Sequence, residues 1–155
     1  MRVFSHLIFG LVEWAARNGL AAEGASAESI KNRRARRRTG IRGETFAYWY
    51  LRRHGYTIVA RNFRALGIKG EIDLVGYDHG VLAFIEVKTR TGEPGLYGLP
   101  EDAVTHDKRR LVSRMARQFL AEWRIHETPW RFDVMAIESQ QGRRPSVRLH
   151  KGAFT

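Results

Sequence analysis

The sequence predicts a single α/β domain whose elements run helix, three strands, helix, strand. Three observations carry this. Two apolar runs, Ile72–Tyr77 and Val81–Val87, flank Asp78-His79-Gly80 and form a β-hairpin. Segments with apolar residues at helical spacing, Phe46–Leu51 and Leu111–Trp123, stand on either side of the strands. Finally, 155 residues with 43% hydrophobic content are enough for one core and too few for two comfortable ones.

The elements follow in chain order. Residues 1–39 are expected to form an N-terminal extension, partly disordered, ahead of a folded body at residues 40–155. Phe4, Leu7, Ile8, Leu11 and Ala15 give residues 3–15 an amphipathic character. His6 and Glu13 interrupt that stretch and no clear small-x-small cleavage site follows, which argues against a secretory signal. Residues 20–29 are rich in Ala, Gly, Ser and Glu, as a linker is. Lys31, Arg33, Arg34, Arg36, Arg37 and Arg38 then place six positive charges in eight residues, a block expected to repel itself and stay extended when free.

Within the body, Phe46, Ala47, Tyr50 and Leu51 define a first helix that starts near Gly43, carries Glu44 in its opening turn and stops at Gly55. An acid in that turn is also what the helix dipole alone would favour. Tyr56–Phe63, with Thr57, Ile58 and Val59, reads as a strand with Arg61 and Arg64 at its far end. The hairpin comes next. Residues 91–100 hold three Gly and two Pro, a loop that could close over a substrate. Thr105 or Asp102 can cap a second helix whose apolar stripe is Leu111, Val112, Met115, Phe119, Leu120 and Trp123. Lys108, Arg109, Arg110, Arg114 and Arg117 occupy much of the remainder. Arg131–Ile137 is a fourth strand, and Val147–His150 a short edge strand.

Composition narrows the function classes. No cysteine is present, which excludes disulfides and thiolate metal sites. No apolar run approaches the roughly 20 residues of a membrane-spanning helix, and a cytoplasmic location is expected. The formal net charge of +11 points to a polyanionic partner, nucleic acid before an anionic membrane. Residues 1–40 contribute +5 from eight Lys/Arg against three Glu, so the body is basic in its own right. The basic block would bind phosphates through counterion release without reading sequence. A membrane-surface contact through residues 3–15 and the block is a further alternative.

The hairpin carries the chemistry. Side chains alternate along a strand, so Asp73 shares a face with Val75 and Tyr77, and Glu86 shares one with Phe84 and Lys88. Acids inside strands that otherwise look buried are costly unless paired. Carboxylates supply the oxygen ligands that Mg²⁺ or Mn²⁺ prefers, and an ammonium about 7 Å along the strand can hold a water or stabilise charge on a phosphate. Glu-x-Lys alone is equally a cross-strand ion pair on an exposed face.

Gly70-Glu71-Ile72-Asp73-Leu74-Val75 and Phe84-Ile85-Glu86-Val87-Lys88-Thr89-Arg90 are preceded by Gly43-Glu44-x-x-Ala47 and Ala60-Arg61-Asn62-Phe63-Arg64. Glu101-Asp102-Ala103-Val104, Lys108-Arg109-Arg110-Leu111 and Arg131-Phe132-Asp133-Val134 follow. Over residues 40–138 this series resembles the bacterial YraN family, also called UPF0102, which is similar to the restriction-endonuclease-like PD-(D/E)xK nucleases, Holliday junction resolvases among them. The resemblance implies a mixed central sheet of four to five strands flanked by helices and a Mg²⁺ or Mn²⁺ phosphodiesterase site. By it, Asp73 and Glu86 would ligate metal, Lys88 would position or activate water, and Glu44 would complete the cluster. The proline of the superfamily's name is absent, Ile72 standing before Asp73.

The expected function is therefore metal-dependent hydrolysis of nucleic-acid phosphodiesters, DNA ahead of RNA, possible substrates being branched or repair structures. Arg64, Arg90, Lys108, Arg109, Arg114 and the Lys31–Arg38 block would hold the backbone. The junction-cutting relatives work as dimers, so a homodimer is compatible. The alternative is a nucleic-acid-binding protein that keeps the nuclease fold without turnover.

Overall fold

In the computed structural model, which describes residues 29–91, 105–140 and 142–154, seven elements follow one another. Helix α1 spans Ser29–Arg53, strands β1, β2 and β3 span Thr57–Phe63, Ile72–Asp78 and Val81–Thr91, and helix α2 spans His106–Glu122. Strands β4 and β5 cover Trp130–Ser139 and Ser146–Phe154. The sheet order is β1-β2-β3-β4-β5. All pairs are antiparallel except β3–β4, which the α2 crossover makes parallel. The order of elements and the mixed sheet are those expected, with β5 longer than the four residues read from the sequence.

The hairpin has a two-residue connection, His79 and Gly80, with φ of 46° and 91°. Two left-handed residues give the turn a twist that matches the strands it joins, and Asp78 pairs with Val81 directly across it.

Two expectations for α1 are corrected. The basic block is helical rather than extended, and α1 runs 25 residues, about 37 Å, through the boundary expected at residue 40. Lys and Arg are good helix formers, and the block continues a segment already nucleated by the packing of Phe46, Ala47 and Leu51. Glu44 consequently lies deep in the helix and not in its opening turn, where no acid occurs. The helix dipole therefore does not account for it.

Each face of the sheet has its own core. Phe46, Ala47 and Leu51 of α1 pack on Leu74, Ala83, Ile85, Met135 and Ile137. On the other face Val112, Met115, Ala116 and Phe119 of α2 pack on Val75, Leu82, Phe84, Phe132 and Val134. Each of these large side chains contributes about 1.5–3 kcal/mol by burial. Trp123, expected in the α2 stripe, is half exposed. It sits at the C-cap, where the helix has ended, and its ring stacks on Phe119 at 4.8 Å. Residues 3–15, the linker at 20–28 and the loop from 92 to 104 lie outside the described residues. Among the described residues no helix is long and apolar enough to cross a membrane.

Candidate functional site

Register brings the acids together. In the β2–β3 ladder Leu74 faces Ile85 and Val75 faces Phe84, so the next step sets Asp73 opposite Glu86. In the β1–β2 ladder Arg61 faces Leu74 and Phe63 faces Ile72, which sets Asn62 opposite Asp73. Asn62, Asp73 and Glu86 thus form one row across three strands. Val75 and Phe84 belong to the core under α2, so Asp73, Glu86 and Lys88 look toward that helix, as strand alternation predicts.

Both acids are buried, Asp73 at 9% exposure and Glu86 at 8%. Asp73 Oδ2 accepts a 2.6 Å hydrogen bond from the Val87 amide, a donor on β3 just past the last β2–β3 pair, Leu74 with Ile85. Lys88 Nζ donates to Glu86 Oε1 at 2.8 Å, and Lys108 Nζ, from α2, lies 3.3 Å from the same oxygen. Glu86 Oε2 is buried with no hydrogen-bond partner. Burial, then repulsion from Glu86, pushes the Asp73 carboxyl up to about 7, with the Val87 amide opposing and Glu44 adding to the rise. Glu86 and Glu44 therefore both disfavour charge on the buried Asp73.

Glu44 reaches this cluster because α1 lies unusually close to β3. A Cβ on Gly43 would stand 1.8 Å from Thr89 Oγ1 and 2.9 Å from Thr89 Cβ. Glycine inside a helix costs about 1 kcal/mol relative to alanine, and here it permits a contact no other residue could make. Glu44 Oε2 then accepts from Asn62 Nδ2 at 2.9 Å. Asn62 holds a left-handed backbone, φ 49°, a conformation asparagine tolerates better than most residues. Sequence reasoning missed this residue; an asparagine breaking the apolar pattern at the end of β1 was the signal.

The donor set is of the kind a hard divalent cation takes: carboxylates only, with one buried oxygen of Glu86 unpartnered. In the arrangement described, two lysines supply the neutralising charge. Among the described residues no three His, Asp or Glu side chains converge closely enough to chelate an ion in these rotamers.

The expected phosphate contacts divide. Lys108 is part of the acidic site itself. Arg109 stacks over the Phe154 ring at 5.5 Å, and with His106, Arg110, Ser113, Arg114 and Arg117 it lines a cleft along α2. Arg90 lies two residues beyond Lys88 on β3, hence on the same face. Arg64 pairs with Glu71 at 2.9 Å on the surface, away from the acids' own contacts. Lys31, Arg33, Arg34, Arg36, Arg37 and Arg38 all fall on the N-terminal half of α1.

A second charged cluster occupies the other end of the sheet. Asp78 is five residues along β2 from Asp73, about 17 Å away. Arg131 Nε donates to Asp133 Oδ1 at 2.8 Å, and its Nη2 to Asp78 Oδ2 and the Tyr56 hydroxyl. Lys151 Nζ and the Gly152 amide complete the hydrogen bonds of Asp78 and Asp133. Every charge is paired, which is what a buried structural network requires.

Comparison with known proteins finds likeness over the stretch that carries these acids. The profile of a group described as "Uncharacterised protein family UPF0102" matches residues 43–137, from Gly43 beside Glu44 to the end of β4's core. A UPF0102 protein of Koribacter versatilis is 40% identical over 154 residues, 99% of this chain and 96% of that protein, so its likeness extends through the N-terminal segment. A UPF0102 protein of Symbiobacterium thermophilum is 45% identical over 118 residues, covering 76% of this chain and 97% of that protein. One from Geobacter metallireducens is 44% identical over 115 residues, covering 74% and 90% respectively.

Proposed function

The chain belongs to the UPF0102 family, and on that premise we propose that it is a divalent-metal-dependent nuclease acting on DNA phosphodiesters at the Asp73–Glu86 pair. The observation that carries this reading is the buried carboxylate pair with Glu86 Oε2 left without a partner. A group so placed costs on the order of 1–3 kcal/mol unless something occupies it, and a cation would.

Asp73 and Glu86 are the residues that would hold the ion, and Glu44, held by Asn62, would join them only after its side chain turns inward. Bound there, Mg²⁺ or Mn²⁺ would supply Lewis acidity toward a phosphoryl oxygen and lower the pKa of water. The chain's own groups do the rest. Lys88, 2.8 Å from Glu86, places an ammonium where a water or the charge growing on a phosphate can be held. The Val87 amide fixes the Asp73 carboxylate. Arg90 on β3 and the cleft residues Arg110 and Arg114 on α2 offer positive charge for the backbone. In the reaction, water adds to phosphorus and the P–O ester bond breaks, leaving a hydroxyl and a phosphate monoester. A single site cuts one strand, so cutting both strands of a duplex or junction would take two copies.

A second reading is favoured by the two ammonium groups that already neutralise Glu86 Oε1. By it, the net charge of +11 serves binding alone, and the acids are a structural remnant. One experiment separates the two. Duplex, single-stranded, flapped and four-way DNA are incubated with Mg²⁺ or Mn²⁺, with Glu86→Gln alongside. The nuclease reading expects cleavage of at least one substrate, lost in Glu86→Gln and in chelator. Salt-sensitive binding in both proteins with cleavage in neither supports the second reading.

A further inference from the structure

Lys108 stands apart from the other cations of α2. Arg109, Arg110, Arg114 and Arg117 border the open cleft, whereas Lys108 turns to the sheet and reaches Glu86 Oε1 at 3.3 Å. Lys88 is brought to that oxygen by strand geometry alone, two residues away on one face. Lys108 needs the tertiary structure. Thr105 caps α2 through the Lys108 amide itself, and Val112, Met115 and Phe119 bury the helix against the strands, which fixes where the side chain begins. Its side chain is 30% exposed, so the ammonium has room to leave.

Two ammonium groups therefore crowd one carboxylate oxygen while the other has none. We propose that Lys108 is an exchangeable counter-ion of the acidic site, neutralising Glu86 until a divalent cation takes that carboxylate and then turning to the substrate's phosphate. The proposal rests on the metal-site reading above and adds a role that reading does not require. A cation on Glu86 would repel an ammonium held 3.3 Å from the ligating oxygen. Lysine is suited to the move, since a flexible four-carbon stem redirects a point charge without shifting the helix.

The test is calorimetric titration of Mn²⁺ into the full chain without nucleic acid, for the wild type, Lys108→Met and Lys108→Arg. Removing a competing charge should tighten Mn²⁺ binding at least about fivefold in Lys108→Met, the lower range of coupling between linked sites. Lys108→Arg keeps the charge and should show no such gain. Lys108→Gln is expected to behave as Lys108→Met, so misfolding of one variant does not decide the matter. Salt dependence of duplex binding gives a second readout. With Ca²⁺ present the wild-type slope should exceed that of Lys108→Met by about one, as for one phosphate contact, and without a divalent cation the two slopes should coincide. Unchanged or weaker Mn²⁺ binding in Lys108→Met, beside a wild type that binds, overturns the proposal. A wild type that takes up no Mn²⁺ overturns the metal site itself.

Discussion

Asn62 Nδ2 donates to Glu44 Oε2 at 2.9 Å, linking a strand end to a helix that packs on the opposite face of the sheet. Through this bond the acid from α1 is held toward the row formed by Asp73 and Glu86. Groups that orient metal ligands typically matter 10–100-fold to affinity or activity. Asn62→Gly keeps the left-handed backbone and removes the amide, so it should weaken Mn²⁺ binding by roughly tenfold while leaving the thermal midpoint within a few degrees. An unchanged affinity would release Glu44 from the site.

The Asp73 carboxyl titrates near 7 in the fold against an ordinary 3.8, through burial first and Glu86 second. Between those values the folded chain retains a proton that the unfolded chain has lost. Stability therefore falls as pH rises from about 4 and levels off above about 7. Asp73→Asn removes this penalty and should stabilise the chain at pH 8 by on the order of 2–4 kcal/mol in urea unfolding. At pH 4 the two proteins should be nearly equal. A variant less stable than wild type at pH 8 would mean the carboxylate is satisfied as it stands.

The network at the far end of the sheet behaves oppositely. Burial would raise Asp78, but the hydrogen bonds from Lys151 and Arg131 outweigh it and hold the carboxyl at about 2. Its contribution is complete above about 4 and is lost as pH falls toward 2. Arg131→Met strands Asp133, whose side chain is fully buried, and should cost about 3–5 kcal/mol at pH 7 by urea unfolding. Metal affinity should be untouched in whatever fraction stays folded, since the two clusters share no residue.

Gly43→Ala places a methyl into Thr89, and α1 must shift outward. Overpacking of this kind costs about 1–3 kcal/mol and should also lower Mn²⁺ affinity, because Glu44 moves with the helix. Thr89→Ala removes the nearest atoms of the clash, so the double variant should recover part of both losses. Additive losses would show that the two residues do not press on each other.

How far the sequence disclosed this arrangement depended on the range of each interaction. The β2–β3 hairpin was legible because a period of two and a turn with Gly80 are local signals; they grouped Asp73 with Val75 and Glu86 with Phe84, and the register that sets the two acids opposite each other came from the structure. The α1 helix was legible only in its packed half. The helix was read as starting near Gly43 and the run of like charges as extended, while tertiary packing of Phe46 and Leu51 lets the helix extend back to Ser29. Asn62 and the Lys108–Glu86 contact were not legible, since each joins residues 18 and 22 apart through the closeness of helix and sheet. Lys108 was read as one more phosphate contact on a basic helix, and only the direction of its side chain separates it from Arg109 and Arg110.

The central claim is that Asp73 and Glu86 form a divalent-cation site. Calorimetric titration of Mn²⁺ at pH 8 into the wild type and Glu86→Gln tests it most directly. A saturable heat in the wild type that disappears in an equally folded Glu86→Gln is the predicted result; no heat in the wild type, or the same heat in both proteins, would contradict it.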